Sequence, residues 1–173
     1  LVGYALMYTD VDGGFIGSFS LFYNPSDAEI ALLGAEEQTA ELVAAVTSNG
    51  YASQSDWFFQ MVFVATAASI VSGTVAERIK LWPFLIFICV LTAIIYPVIG
   101  SWEWGAGWLN SEWYVKSFGS EFMDFAGSTL VHSTGGWAAL AGAIVLGARK
   151  GKYGPNGEVR PMPGANLPLA TLG

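Results

Sequence analysis

The sequence has little charge and a single cysteine, and each scarcity excludes a class of protein or site. Only 12% of its 173 residues are charged, whereas 53% are hydrophobic, which is typical of membrane proteins and not of soluble domains. Cys89 has no second cysteine to pair with and no partner at a metal-binding spacing, which excludes an internal disulfide and a cysteine-based metal site. We interpret Cys89 as a small apolar packing residue.

Charged residues are absent from three long apolar stretches. The stretches cover residues 57–76, 81–102 and 125–148, and each reaches the roughly 20 residues that a membrane-spanning helix needs. The sequence therefore predicts an all-α polytopic membrane protein with about three complete transmembrane helices. It opens inside another apolar stretch without an initiator methionine, so we expect an internal fragment of a longer chain, with partial helices at both ends.

The turns and charges between the apolar stretches predict a layout for the whole chain. Turn residues cluster at 10–14, 24–27 and 48–50, and a short surface helix is expected at 37–46. The expected segments are the end of a helix at 1–9, an extracellular or periplasmic loop at 10–56, helices at 57–78, 81–103 and 124–148, an outer loop at 104–123, a cytoplasmic loop at 149–165, and the start of the next helix at 166–173.

The few basic residues give the orientation. Residues 1–57 carry eight acids and no Lys or Arg, and they contribute most of the net charge of −7. This acidity is explained by a solvated outer loop and gives no reason to expect a nucleic-acid partner. Six of the seven basic residues lie in two connections that must share one side of the membrane, and the positive-inside rule makes that side cytoplasmic; these are Arg78, Lys80, Arg149, Lys150, Lys152 and Arg160.

Small residues recur at every fourth position in two of the predicted helices. Because lipid solvates apolar side chains well, helices in membranes associate through close backbone approach, which such rows permit. We therefore expect packing seams along two rows of the first span and one of the third: Ala65, Ser69 and Gly73; Ala68, Ser72 and Ala76; and Gly135, Ala139, Ala143 and Gly147.

The outer end of the second span is marked by a proline and a group of tryptophans. Pro97 is expected to bend this helix. Trp102, Trp104, Trp108 and Trp113 follow it, and an aromatic belt at the membrane surface explains most of them.

The single histidine, His132, lies within the third apolar stretch. A titratable side chain in a membrane span usually faces the bundle interior or a solute path; the alternative is a hydrogen-bonded core histidine. A neutral imidazole has one donor and one acceptor, and it could meet a small polar solute without adding a second positive charge. Asp124 stands at the start of the same helix, where its carboxylate is expected to cap free backbone amides.

Three motifs carry a family resemblance. The run DFAGSTLVHSTGG at 124–136 resembles the signature of the ammonium transporter, methylammonium permease and Rhesus glycoprotein family. The run from FFQMVF to GTVAERIK at 58–80 resembles the third helix of that family, and WGAG at 104–107 also fits. The resemblance extends over the chain from about Leu1 and implies an internal fragment of an eleven-helix fold. Trp104 resembles the recruitment tryptophan of the ammonium transporter branch.

The resemblance implies roles for individual residues. By this match His132 is similar to the first of two pore histidines, and Phe63 to the outer member of a pair of gating phenylalanines. Trp104 would form an outer recruitment site with Phe63 and Phe59, with Phe58 as the alternative to Phe59. Asp124 is similar to an acid that supports this site without touching the ion.

The implied function is transmembrane transport of ammonium, ammonia and methylammonium, with no enzyme activity, cofactor or metal. Both electrogenic transport and a gas channel remain open, and a sensor with the same fold joined to a signalling domain is the second hypothesis. An intramembrane hydrolase is disfavoured because the chain has no HExxH motif and no paired intramembrane carboxylates. The resemblance also implies a homotrimer in membrane lipid, a bacterial inner-membrane location, and regulation by a PII-type protein.

Overall fold

The described part of this chain is all-α and contains three helices that are long enough to span a membrane. A computed structural model describes residues 2–23, 25–47 and 50–172. Within these ranges it contains no β-strand, only an isolated antiparallel bridge between Tyr153 and Val159. Three helices are long and apolar enough to cross a membrane: Ser53–Val75, Leu81–Ser101 and Ser128–Leu146. The predicted fold class is therefore confirmed, and each apolar stretch corresponds to one span.

Each of the last two spans includes a π-helical turn. The second span comprises α5, the turn Leu91–Ile95 and α6, and the third comprises the turn Ser128–Ser133 and α8. A 3₁₀ turn over Trp108–Asn110 precedes α7 in the loop between them. In chain order the α-helices are α1 (Gly3–Tyr8), α2 (Asp27–Gly34), α3 (Ala40–Val46), α4 (Ser53–Val75), α5 (Leu81–Val90), α6 (Tyr96–Ser101), α7 (Glu112–Phe118), α8 (Thr134–Leu146) and α9 (Leu167–Leu172).

The helix boundaries differ from the predicted ones for local chemical reasons. The first span begins at Ser53 and not at 57, because Asp56 is accommodated in its first turn, where the helix dipole favours an acid. The third span begins at Ser128 and not at 124, because Gly127 has a left-handed conformation with φ of 82°. The second ends at Ser101 and the third at Leu146.

The loop predicted at 10–56 contains two helices. The surface helix expected at 37–46 is present as α3, which begins after the Thr39 cap. Helix α2 was not predicted, although Ser26 and Glu29 form a reciprocal capping box at its start. The turn signals at 24 and at 48–49 lie outside the described residues, as do Leu1 and Gly173 of the terminal segments.

Pro97 is the second residue of α6, and α6 directly follows the first π-helical turn. Proline cannot donate a backbone hydrogen bond, and π-helical turns are one of the ways in which helices accommodate such a defect. Helix α1 packs closely on this region. A Cβ atom on Gly3 would lie 2.5 Å from Cγ of Pro97, so the approach of α1 requires a glycine.

Helices α4 and α8 form the main packed pair. The predicted seam on α8 is confirmed at Gly135 and Ala139, which are buried. The predicted α4 row of Ala65, Ser69 and Gly73 is exposed on this chain, so it is not part of the contact with α8 and stays a prediction. The α4 seam instead runs through three almost fully buried residues, because the glycines of α8 leave room for larger side chains: Ala67, Val71 and Val75.

Cys89 and the tryptophans bear on two further packing predictions. Cys89 is exposed on this chain and is not a buried packing residue within it. The belt of tryptophans at the membrane surface stays a prediction, but two of these tryptophans have specific contacts within the chain. Trp102 donates from Nε1 to the carbonyl of Phe15 at 3.0 Å, and the ring of Trp108 lies edge-on to that of Trp102. These rings hold the first loop against the end of the second span.

Candidate pore-lining site

A cavity of about 480 Å³ lies at the N-terminal end of α4. Its walls combine aromatic rings with one carboxylate and one amide side chain. They come from α1, from the start of α4 and from the two loops beside it: Tyr8, Tyr51, Ser55, Asp56, Phe59, Gln60, Trp104 and Phe125. The cavity therefore offers aromatic faces and one negative charge to a small solute.

Three of the predicted site residues form one aromatic cluster. Phe59 and Phe63 are stacked with ring centroids 4.3 Å apart, as their spacing of four residues on α4 allows. The rings of Phe63 and Trp104 meet edge-to-face at 5.8 Å. Phe58 is 59% exposed and has no aromatic partner among the described residues. Of the two alternatives, Phe59 is thus the one that joins the cluster.

The cluster rests on the buried core. Phe63 and Trp104 pack against a group of buried residues contributed by α1, α4, α6 and the second π-helical turn: Met7, Ala67, Tyr96 and Val131. The indole Nε1 of Trp104 also donates to the carbonyl oxygen of Asp124 at 2.6 Å. These contacts fix the orientation of both rings.

Asp124 is buried and caps the start of the third span with both carboxylate oxygens. Its Oδ1 accepts from the amides of Gly127 at 2.8 Å and Ser128 at 2.9 Å. Its Oδ2 accepts from those of Thr129 at 2.8 Å and Leu130 at 2.7 Å. Free amides at a helix start need acceptors, and here one side chain supplies all four. Asp124 therefore links Trp104 to the helix that carries His132.

Glu103 is a second buried carboxyl beside Asp124. Its Oε1 accepts from the backbone amide of Asp124 at 3.1 Å, while its Oε2 is buried without a hydrogen-bond partner. Burial is the main cause that raises the pKa of the Glu103 carboxyl, and the charge of Asp124 acts in the same direction. No sequence pattern predicts this pair, because it depends on the fold of the loop at 104–123.

His132 lies in the second π-helical turn, five residues after Gly127. Its backbone amide donates to the carbonyl oxygen of Gly127 at 2.9 Å, and its ring Nδ1 lies 3.2 Å from the same oxygen. Because a carbonyl oxygen can only accept, we assign the proton to Nδ1. The Nε2 atom then remains a free acceptor.

Phe63 and His132 both lie beside Gly127. A Cβ atom on Gly127 would lie 3.2 Å from Cε1 of Phe63, so the ring of Phe63 covers the residue whose carbonyl accepts from His132. The His132 side chain is exposed on this chain, although burial was expected. The reason is its position in the turn: Leu130 and Val131 occupy the buried face.

Asp56 lines the cavity, which its place among the eight acids of residues 1–57 does not predict. The structure places it in the first turn of α4, one turn before Phe59. Its Oδ2 accepts from the hydroxyl of Tyr4 at 2.9 Å. The signal was available, because residues 56, 59 and 63 fall on one face of a helix.

Gln60 adds a buried polar link to the same wall. Its Nε2 donates to the hydroxyl of Tyr8 at 2.7 Å, and its Oε1 accepts from the hydroxyl of Tyr96 at 3.4 Å. These bonds connect α1, α4 and α6 beneath the cavity. No group of three or more potential metal ligands occurs among the described residues.

Comparison with known proteins gives one consistent result. The family model described as Ammonium Transporter Family matches residues 1–173. The chain is 49% identical over 119 residues to Ammonium transporter Amt2 of Archaeoglobus fulgidus, covering 68% of this chain and 25% of that protein. It is 41% identical over 160 residues to Putative ammonium transporter sll1017 of Synechocystis, covering 90% and 30%.

A plant protein is also similar. Ammonium transporter 1 member 3 of Solanum lycopersicum is 39% identical over 129 residues, covering 74% of this chain and 28% of that protein. The chain thus spans between a quarter and a third of the length of these relatives. No solved structure matches it. The relatives are named as transporters and not as enzymes. Because the family model matches residues 1–173, this chain belongs to the Ammonium Transporter Family.

Proposed function

We propose that the protein containing this chain conducts ammonium or ammonia, and methylammonium, across a membrane along a path that runs from the aromatic cavity past Phe63 to His132. The observation that carries the proposal is the order of these groups. Asp56, Phe59 and Phe63 follow one face of α4, and Phe63 covers Gly127, whose carbonyl contacts the ring of His132.

The aromatic cavity supplies what a small cation needs before it leaves water. A bare cation in a low-dielectric medium costs tens of kcal/mol, so a purely aliphatic entrance would exclude it. Each aromatic face can attract the ion by roughly 0.5–2 kcal/mol. The carboxylate of Asp56, on the wall of the same cavity, adds a negative charge that favours ammonium over neutral solutes.

His132 supports passage beyond the aromatic cluster. With Nδ1 bonded to the carbonyl of Gly127, Nε2 offers a lone pair that can accept a hydrogen bond from an N–H group. Ammonia and ammonium both carry such groups, whereas Na⁺ and K⁺ do not. An acceptor at this point would therefore favour the nitrogen compounds.

The family and the charge pattern support further proposals about the whole protein. We propose that residues 10–56 and 104–123 face outward and that 149–165 face the cytoplasm. We also propose a homotrimer, regulation by a PII-type protein at the cytoplasmic side, and placement in a cell membrane. Bacterial, archaeal and plant relatives are all named as transporters, and we therefore prefer transport to sensing.

A paired tryptophan substitution tests the recruitment site. In the full-length protein, Trp104→Leu removes the ring that meets Phe63, and we expect the half-saturating concentration for methylammonium uptake to rise about ten-fold, equivalent to ~1.4 kcal/mol of lost binding. Trp113→Leu is the matched control, because Trp113 lies in the same loop, is 63% exposed and lies outside the cavity wall. Equal effects of the two substitutions, or none from Trp104→Leu, would reject the site.

A further inference from the structure

A basic cavity lies at the opposite end of the helices from the aromatic one. It has a volume of about 410 Å³, within the range of small-molecule sites. Arg78 follows the end of α4, and Arg149 follows the end of α8. Both therefore lie at the side of the membrane that the positive-inside rule makes cytoplasmic. The lining residues are Arg78, Ala148, Arg149, Lys152, Tyr153 and Met162.

The positive charge of this cavity is poorly neutralised. No Asp or Glu is among its described lining residues. The carboxylate nearest to Arg149 is that of Glu77, 4.0 Å from Nε, and both side chains are largely exposed, so solvent weakens the pair. Among the described residues, the one hydrogen bond of the Lys152 ammonium is a long one, from Nζ to the carbonyl oxygen of Arg160 at 3.4 Å. Two cationic side chains are thus available to an anion.

Arg78 has a different role, because it joins the two helix ends. Its Nη1 donates to the carbonyl oxygen of Gly147 at 2.9 Å, just after α8. Carbonyl groups at a helix C-terminus lack intrahelical partners, so this bond holds the end of α8 against the end of α4. The cavity is consequently bounded by a fixed arginine on one side.

The loop that carries Lys152 is held in shape by its own backbone. The amide of Lys152 donates to the carbonyl of Arg149 at 3.0 Å, and that of Arg160 donates to the carbonyl of Lys152 at 2.9 Å. Tyr153 and Val159 form an antiparallel bridge. Because the loop is already ordered, a ligand would not have to fold it on binding.

We propose that this cavity binds a phosphate group, carried by an anionic lipid headgroup or present as free phosphate. Arginine presents a fork of N–H donors that matches phosphate oxygens, and lysine adds a point charge. Basic cavities between membrane helices on the cytoplasmic side suit lipid headgroups. Ala148 and Met162 provide apolar surface beside the cations, where the glycerol portion of a lipid could lie. The proposal is independent of the transport path.

Binding to the full-length protein in detergent micelles tests this site. The probes are short-chain phosphatidylglycerol, short-chain phosphatidylcholine and inorganic phosphate, and bound lipids are counted by native mass spectrometry while phosphate is followed by calorimetry. We expect Lys152→Gln and Arg149→Gln each to weaken binding of the anionic probe roughly five-fold. Arg149→Lys keeps the charge and should retain most of the affinity.

Lys150→Gln is the matched control, because Lys150 is exposed and lies between the two substituted positions without lining the cavity. If phosphatidylglycerol binding is weakened at Lys152 and Arg149 but not at Lys150, the ligand is a lipid; if only phosphate shows this pattern, it is the free anion. Equal losses at all three positions would indicate general surface charge and overturn the proposal. Tight phosphatidylcholine binding that depends on Lys152 and Arg149 in the same way would also overturn the proposal. So would binding of the anionic probes that depends on neither residue.

Discussion

Asp124 shows how one side chain can organise a site that it does not line. It satisfies four amides at the start of the third span, and its carbonyl accepts from the indole of Trp104. The positions of Trp104 and of the His132 helix therefore depend on the same residue. A purely electrostatic role would not require these bonds.

Replacing Asp124 with alanine should destabilise the protein severely. Several buried amides would lose their acceptor at once, so we expect a loss of at least about 3 kcal/mol in the free energy of unfolding. This loss of stability is measured by thermal unfolding of the full-length protein in detergent. Asp27→Ala is the control, because Asp27 is an exposed acid in the first turn of α2, and its loss should cost under about 0.5 kcal/mol. Similar losses of stability for both variants would refute the conclusion that Asp124 holds the start of the third span.

Glu103 should make stability depend on pH. Its pKa in the folded protein is raised above the ordinary 4.5 by burial, so the folded state holds this proton more tightly than the unfolded state. The stabilisation is present below pH 4.5 and is lost as the pH rises through the raised pKa. Glu103→Gln keeps an acceptor for the Asp124 amide and removes the charge. At pH 7 the free energy of unfolding of Glu103→Gln should therefore equal that of the unsubstituted protein or exceed it by up to about 1 kcal/mol.

Melting temperatures from pH 4 to pH 8 test this expectation. The difference between Glu103→Gln and the unsubstituted protein should grow with pH. Glu112→Gln serves as a control, because the Glu112 side chain is 88% exposed, and it should leave the pH profile unchanged. A Glu103→Gln protein that loses stability towards pH 8 would contradict the assignment.

The two π-helical turns determine where the spans place their side chains. Apolar length was enough to find all three spans, because an uninterrupted helix satisfies its own backbone in a membrane. The turn at Ser128–Ser133 was not predictable in the same way, since it depends on the left-handed Gly127 and on the bonds to Asp124. Bonds between residues three to six apart in sequence fix this turn, and a hydrophobic pattern does not reveal such bonds.

The α4 seam was missed for a related reason. Small residues permit the close approach of two helices, but a sequence pattern does not show which of the two helices must provide them. In this pair α8 supplies the glycines: Gly142 lies against Val75 and Gly135 against the backbone of Ala67, while Val71 packs in the same cluster as Ala139. The apolar patterning of α4 is similar on several faces, so only its partner decides which face is buried.

Adjacent glycines in α8 test this packing. A Cβ atom at Gly135 would lie 2.9 Å from the carbonyl oxygen of Ala67, whereas one at Gly136 would meet nothing within 4 Å. Gly135→Ala should therefore destabilise the protein by about 1–3 kcal/mol. Gly136→Ala should be neutral, or stabilising by up to ~1 kcal/mol through helix propensity. Unfolding midpoints of the two variants decide the matter, and the opposite order would mean that α4 and α8 pack differently.

At the scale of the whole molecule, the family could be predicted from the sequence, whereas the aromatic cavity could be predicted only in part. The family could be inferred from sequence because its motifs lie within single helices, as in the run at 124–136. The aromatic cavity could be inferred only in part, because Tyr4, Tyr8 and Asp56 meet through the packing of α1 on the rest of the chain. Contacts between distant segments carry no local pattern.

The acidic loop should raise the concentration of cations near the aromatic cavity. Glu36, Glu37 and Glu41 are all exposed. Their replacement by glutamine in the full-length protein should raise the half-saturating ammonium concentration two- to three-fold at low ionic strength, and the effect should vanish above about 0.15 M salt. Glu158→Gln, near the opposite end of the spans, is the control. Unchanged uptake at low ammonium and low salt would remove any role for these acids.

The most direct test of the proposed path is the transport of methylammonium by the full-length protein with His132→Ala, measured as uptake and as current in the same cells. His132 supplies the acceptor Nε2 beyond the aromatic cluster, so its loss should change uptake or current by about ten-fold or more, equivalent to ~1.4 kcal/mol. Unaltered rate, current and selectivity would show that the imidazole does not line the path.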